Sequence, residues 1–178
     1  MIIDHEDFFK SNLQNDELVN KIRTTLETAD ERLVPVTSDG KGGVHPESRH
    51  IDGIDLTTTT YVGKGLEDII KLVNNNKWKL DLENQWSHIT ALVYRKEGHH
   101  FRWHVDGKFY DINLSVVLCL SHADEYEGGL FEIETQNKKI KSYKLDFGDF
   151  VVFPSKVAPH RVTPLESGTR RSIVGFYK

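Results

Sequence analysis

Hydrophobic positions in the first half of the chain recur at helical spacing in two places. Leu18, Val19, Ile22 and Leu26 fall on one face of a 3.6-residue period and predict a helix over 16–29, with Asn15 or Asp16 as its cap. Leu66, Ile69, Ile70 and Val73 form a second stripe and predict a helix over 65–77, stopped by Asn74-Asn75-Asn76. Between them, 37–60 carries Gly40, Gly42, Gly43, Gly53 and Pro46 and few large apolar residues. A loop of this length reads either as a surface insertion or as a mobile lid over a site.

After residue 88 the period changes. Short β-branched and aromatic runs occupy 89–96, 100–106, 113–121, 130–135, 140–145, 150–154, 160–164 and 171–177. Turn residues such as Glu97-Gly98, Asp106-Gly107, Glu127-Gly128-Gly129 and Ser167-Gly168 separate them. Many short strands in close succession predict a sandwich or barrel. Helices come first and strands follow, so the expected class is mainly β with N-terminal helices (α+β): a jelly roll with a helical buttress. A single domain over 1–178 is expected, with 1–85 as helical and loop support and 86–178 as the jelly-roll core.

Composition narrows the function classes. With 23 basic and 27 acidic residues among 178, the net charge of −4 gives no field for nucleic acid. No apolar run approaches the ~18 residues that span a bilayer. The acidic opening, Met1 to Asp7, is unlike the basic start of a secretion signal. The single cysteine, Cys119, excludes an internal disulfide framework and a cysteine-rich zinc site. These features lead us to expect a cytoplasmic monomer with no nucleic-acid or membrane partner.

The chemistry rests on histidines and one arginine. There are nine histidines. On a strand, residues i and i+2 share a face, so Arg102, His104 and Asp106 are expected together, opposite Phe101, Trp103 and Val105. A histidine and a carboxylate so placed can share a metal ion, or simply hydrogen-bond to each other. His160 is the candidate third ligand. Two histidines and one carboxylate suit non-haem Fe(II) and equally catalytic zinc. Arg170 and Ser172 share a strand face, and a guanidinium fork suits a carboxylate. One short turn would return their strand beside His160, with Arg171 pointing away.

Arg102 is a candidate to pair with an acidic group at the pocket rim or to contact substrate. Leu118, Leu120, Val152 and Phe176 are candidates for an apolar wall. The other histidines are read as non-ligands, Cys119 as a buried structural thiol and Trp103 as core. Trp78 and Trp86 are expected to anchor the helices, and 124–127 to form a solvated turn.

In order along the chain, Tyr94…His104-x-Asp106…Glu127-Gly128-Gly129…Phe153-Pro154-Ser155…His160-x-Val162-x-Pro164…Gly168-x-Arg170-x-Ser172 resembles the Fe(II)- and 2-oxoglutarate-dependent dioxygenases. The resemblance covers about 89–178 and is closest to the prolyl 4-hydroxylase-like branch. It implies a double-stranded β-helix (jelly-roll) core with iron held by His104, Asp106 and His160. It further implies that the distal carboxylate of 2-oxoglutarate meets Arg170, with Ser172 and Tyr94 beside it. The branch more often carries a lysine where this chain has Arg170. The implied reaction hydroxylates a prolyl residue in a peptide or protein, forms succinate and CO2, and has ascorbate as a candidate reductant. The alternatives are the same chemistry on a free amino acid, another small molecule or a damaged nucleobase, and a jelly-roll binding module without catalysis.

Overall fold

The computed structural model describes residues 3–5, 7–36, 49–56, 60–108 and 111–178. In chain order they form β1 (Ile3–His5), β2 (Phe8–Asn12), α1 (Asp16–Glu27), β3 (Val34–Pro35), β4 (Arg49–His50), β5 (Asp52–Asp55), α2 (Thr60–Asn76), β6 (Trp86–Tyr94) and β7 (His100–His104). There follow β8 (Leu114–Cys119), β9 (Tyr126–Gly128), β10 (Phe131–Glu134), β11 (Ile140–Tyr143), β12 (Asp149–Pro154), β13 (His160–Val162), β14 (Leu165–Gly168) and β15 (Arg170–Tyr177). An eight-stranded sheet has the order β1-β2-β12-β8-β15-β6-β5-β3, and a five-stranded sheet the order β11-β10-β13-β7-β4. A small β14-β9 pair completes the described strands. The arrangement is that of a double-stranded β-helix. Among the described residues no helix is long and apolar enough to cross a membrane.

The helices cover one face of the larger sheet, because that face and the helical stripes are both apolar. Val19, Ile22 and Leu26 of α1 and Val62, Leu66, Ile70 and Val73 of α2 share one core with Ala91, Val116, Leu118, Val152 and Ile173. Trp78 and Trp86 pack against this core, as expected of anchors. The Asn15 side chain caps α1 by accepting the Leu18 N–H at 3.1 Å. Helix α2 starts five residues before its expected position. Val62 extends the apolar stripe, and Gly63 lies against the Trp86 ring, where its lack of a side chain is an asset rather than a break.

The opposite face of the larger sheet meets the smaller one. Val117, Cys119, Val151 and Phe153 pack on Phe131, Ile133 and Leu145 of the other side. Alternate residues of β8 therefore enter two different cores, and all six of its residues are buried.

Two expectations are corrected, and one element is added. The span 37–60 is not one loop: 49–56 contains β4 and β5. Strand β5 pairs with β6, and at Gly53 an added Cβ would lie 2.7 Å from the Ala91 carbonyl oxygen. The lid reading falls on 37–48 and 57–59, outside the described residues. The N-terminal hairpin β1–β2 was not foreseen; its second strand joins β12, with Phe8 fully buried and the Lys10–Asp149 ion pair at 2.7 Å. The stretch 124–127 is not merely a solvated turn. Tyr126 is buried, and Glu125 pairs with Arg23 of α1 at 2.8 Å.

Candidate active site

The three candidate ligands converge between the two sheets. One donor atom from each of His104, Asp106 and His160 lies within 4.8 Å of the others. His104 ends β7 and faces His160 of β13 as its register partner. Asp106 is not on the strand, which corrects the i, i+2 argument: the strand stops at His104, and Asp106 opens a single 3-10 turn. That turn, rather than a shared strand face, brings Asp106 Oδ1 to 3.2 Å from His104 Nε2 and Oδ2 to 3.6 Å from His160 Nε2.

Both imidazoles are oriented from behind. His104 Nδ1 sits 2.9 Å from the Arg102 carbonyl oxygen, and His160 Nδ1 sits 3.0 Å from that of Ala158. A carbonyl accepts only, so each Nδ1 carries the proton and each Nε2 lone pair turns toward Asp106. The rings are packed: Phe101 stacks on His104 at 3.6 Å between centroids, and Phe153 lies 4.6 Å from His160. Burial, partly offset by Asp106, pushes the His160 pKa down to about 4, so it is a neutral donor near neutral pH. Burial alone would raise the Asp106 pKa, but His160, His104 and the Ser115 hydroxyl outweigh it and hold the carboxyl at about 2. A neutral imidazole lone pair facing an ionised carboxylate calls for a cation between them. The residues present therefore fit a divalent metal with an N/O ligand set.

Arg170 and Ser172 stand on the facing sheet. The expectation that their strand returns beside His160 is corrected: β14 intervenes, and β15 joins the larger sheet between β6 and β8. The pair looks across the cavity at the ligands. Arg170 is 1% exposed, a placement that a charged group accepts only with partners. Its Nη1 donates to Ser172 Oγ at 3.2 Å, while Nε and Nη2 have no hydrogen-bond partner among the described residues. The guanidinium lies 5.1 Å from the centroid of the buried Tyr94 ring. Two orphaned, parallel donors fit a carboxylate, as 2-oxoglutarate would offer. The Glu127-Gly128-Gly129 turn passes close by: Gly128 has φ +68°, and a Cβ there would lie 2.3 Å from the Pro164 carbonyl oxygen.

The cavity that joins these groups encloses about 380 Å³, including its open mouth. Tyr94, His104, Asp106, His160, Arg170 and Ser172 all line it. Of the four apolar residues expected in its wall, Phe176 does; Leu118, Leu120 and Val152 instead face the helices. Val117 and Val174 take the wall positions. The expected face of Arg102 is also corrected. Between the pairs His160↔His104 and Val162↔Phe101, β7 carries one residue more than β13, a bulge. Phe101 thus shares the inner face with His104, while Arg102 is exposed and off the wall. Trp103 is half-buried rather than core, with the Arg161 guanidinium 5.0 Å from its ring. Arg49 of β4, which sequence reasoning missed, also lines the cavity, 4.3 Å over the Phe101 ring. Its only sequence signal is a cation next to a glycine-rich stretch.

One fold can carry many chemistries, so the site decides: a two-histidine, one-carboxylate centre facing a buried arginine across this cavity suits a non-haem iron oxygenase. Residues 89–178 match the family model of the 2OG-Fe(II) oxygenase superfamily, and the chain belongs to that superfamily. A PKHD-type hydroxylase of Prochlorococcus marinus (strain NATL2A) is 30% identical over 167 residues, which cover 90% of this chain and 71% of that protein. A PKHD-type hydroxylase of Synechococcus sp. (strain CC9605) is 39% identical over 91 residues, 49% of this chain and 40% of that protein. The fold resembles the crystal structure of a Pseudomonas putida prolyl-4-hydroxylase, with TM-score 0.81, 20% identity, and 97% and 92% of the two chains covered. It also resembles a prolyl hydroxylase from Trichoplax adhaerens in complex with a hypoxia inducible factor peptide fragment, with TM-score 0.83, 14% identity, and 97% and 83% covered.

Proposed function

We propose that this 2-oxoglutarate-dependent dioxygenase hydroxylates a prolyl residue in a peptide or protein. The observation that carries the reading is the pairing, in one cavity, of the His104–Asp106–His160 cluster with the orphaned donors of Arg170. Iron and 2-oxoglutarate bound there supply the oxidising power, with succinate and CO2 as co-products. His104 and His160 offer Nε2 donors, and Asp106 offers one negative charge. Arg170 Nε and Nη2 receive the distal carboxylate of the co-substrate. Ser172 holds the guanidinium from its other side, and Tyr94 forms the floor under it. Phe101, Val117, Val174 and Phe176 keep water from the reacting face.

The peptide class draws support from the PKHD-type relatives and from the peptide held by the Trichoplax neighbour. A cavity with an open mouth suits a protruding side chain on an extended chain. Ascorbate serves as accessory reductant, and the enzyme acts as a cytoplasmic monomer, a setting consistent with one buried free thiol. Residues 86–178 carry the catalytic core of one domain, and 1–85 support it while adding edge strands and Arg49 to the cavity. Incubation with Fe(II), 2-oxoglutarate, ascorbate and a pool of proline-containing peptides, read by mass spectrometry, should place one added oxygen on proline. Succinate formed with a free amino acid, and with no peptide, would contradict the peptide reading.

A further inference from the structure

Asp106 is held through its carboxylate by a pair of buried hydroxyls. Ser115 of β8 donates to Asp106 Oδ2 at 2.7 Å, and Ser155, just past β12, lies 2.8 Å from Ser115 Oγ. Both serines are fully buried. A hydroxyl has one hydrogen. That of Ser115 is committed to the carboxylate, so Ser115 accepts from Ser155, and the chain runs one way: Ser155 to Ser115 to Asp106. Each donor in such a chain strengthens the next.

Ser155 also grips the turn through its backbone. Its carbonyl oxygen accepts the Gly107 N–H at 2.8 Å, and its own N–H donates to the Asn113 carbonyl oxygen at 2.9 Å. Gly107 sits so close that a Cβ would lie 3.1 Å from the Lys156 Cα and 2.7 Å from its Cγ. The turn that carries Asp106 is thus held by main chain at Gly107 and by side chain at the carboxylate. Ser155 contributes to both holds.

The two carboxylate oxygens are consequently unlike. Oδ2 accepts the Ser115 hydroxyl and lies 3.6 Å from His160 Nε2, whereas Oδ1 accepts no hydroxyl among the described residues and lies 3.2 Å from His104 Nε2. We propose that Ser115 and Ser155 are positioning residues that reserve Oδ2 and present Oδ1 alone to the metal. A carboxylate held to one oxygen takes one coordination position. With the two histidines, the remaining positions on a bound metal would stay open to the co-substrate. The inference rests on the assignment of His104, Asp106 and His160 as ligands, and it concerns this chain's own hydroxyls.

The test is Co(II) titration, followed by visible absorption, of wild-type protein, Ser115→Ala, Ser155→Ala and the double variant. Each replacement removes one oxygen atom, and circular dichroism checks the fold. Ser115→Ala should weaken cobalt binding by about 10- to 100-fold, as loss of a partner behind a metal ligand does, and alter the ligand-field spectrum. Ser155→Ala, one step removed, should have a smaller effect and none in the Ser115→Ala background. Wild-type affinity and spectrum in folded Ser115→Ala would overturn the proposal. So would a Ser155→Ala effect that persists undiminished in the double variant, because the relay would then not pass through Ser115. Failure of the wild-type protein itself to bind cobalt would instead overturn the ligand assignment beneath it.

Discussion

At the metal end of the cavity every candidate ligand has a partner behind it; at the Arg170 end, two buried N–H groups have none among the described residues. His104 and His160 lean on carbonyl oxygens and Asp106 on Ser115. Arg170 has Ser172 on one nitrogen and bare donors on the other two. A partnered ligand is rigid before its metal arrives, so little ordering is left to do on binding. An unpartnered buried cation is costly while empty, and that cost is relieved when a carboxylate enters. The first end is built to keep one geometry, the second to demand a ligand.

The contrast can be broken most severely at His160. His160→Ala should reduce 2-oxoglutarate turnover, measured as succinate, to background while circular dichroism shows a folded chain. Retained turnover would remove His160 from the ligand set. Next in size, Arg170→Ala should weaken 2-oxoglutarate binding by ~2–5 kcal/mol, the range for truncating one partner of a buried charge pair. Metal affinity in calorimetry should stay as in wild type; a parallel loss of metal would show that the two ends are not separate.

Stability should respond in the opposite sense. In ligand-free protein, Arg170→Met removes the orphaned donors and should raise stability by about 1–3 kcal/mol in chemical denaturation. Gly128→Ala should lower it by about 1–3 kcal/mol or more through strain at φ +68°, with 2-oxoglutarate affinity falling as the turn beside Arg170 shifts. The smallest effect is expected at Tyr94. Tyr94→Phe keeps the ring under the guanidinium and should cost about 1 kcal/mol in co-substrate binding if its hydroxyl also touches 2-oxoglutarate. No change in KM would limit Tyr94 to the ring.

The sequence carried the identities of the site better than their geometry. His104, Asp106, His160, Arg170 and Ser172 stood out as polar residues interrupting apolar strands in an order that resembles a known family, and the structure places all five on one cavity. The wall of the cavity was not legible. β8 is apolar on both faces, since helices cover one and the opposing sheet the other, so Leu118 and Val117 look alike in sequence. Arg102 was misplaced because a one-residue bulge shifts the face of a strand, and nothing in the sequence marks it. Asp106 was placed beside His104 for the wrong reason: a turn, set by Gly107 against Ser155 and Lys156, does what a strand was expected to do. The helical buttress followed from its stripes, whereas β4 and β5 are too short to announce themselves among glycines and polar residues.

The central claim is that one cavity holds metal at one end and the co-substrate carboxylate at the other. It is tested most directly by a crystal structure with Mn(II) and 2-oxoglutarate bound. We predict metal on His104 Nε2, one oxygen of Asp106 and His160 Nε2, with the distal carboxylate on Arg170 Nε and Nη2. Metal bound elsewhere, or a distal carboxylate seated on Arg49 with Arg170 still unpartnered, would contradict it.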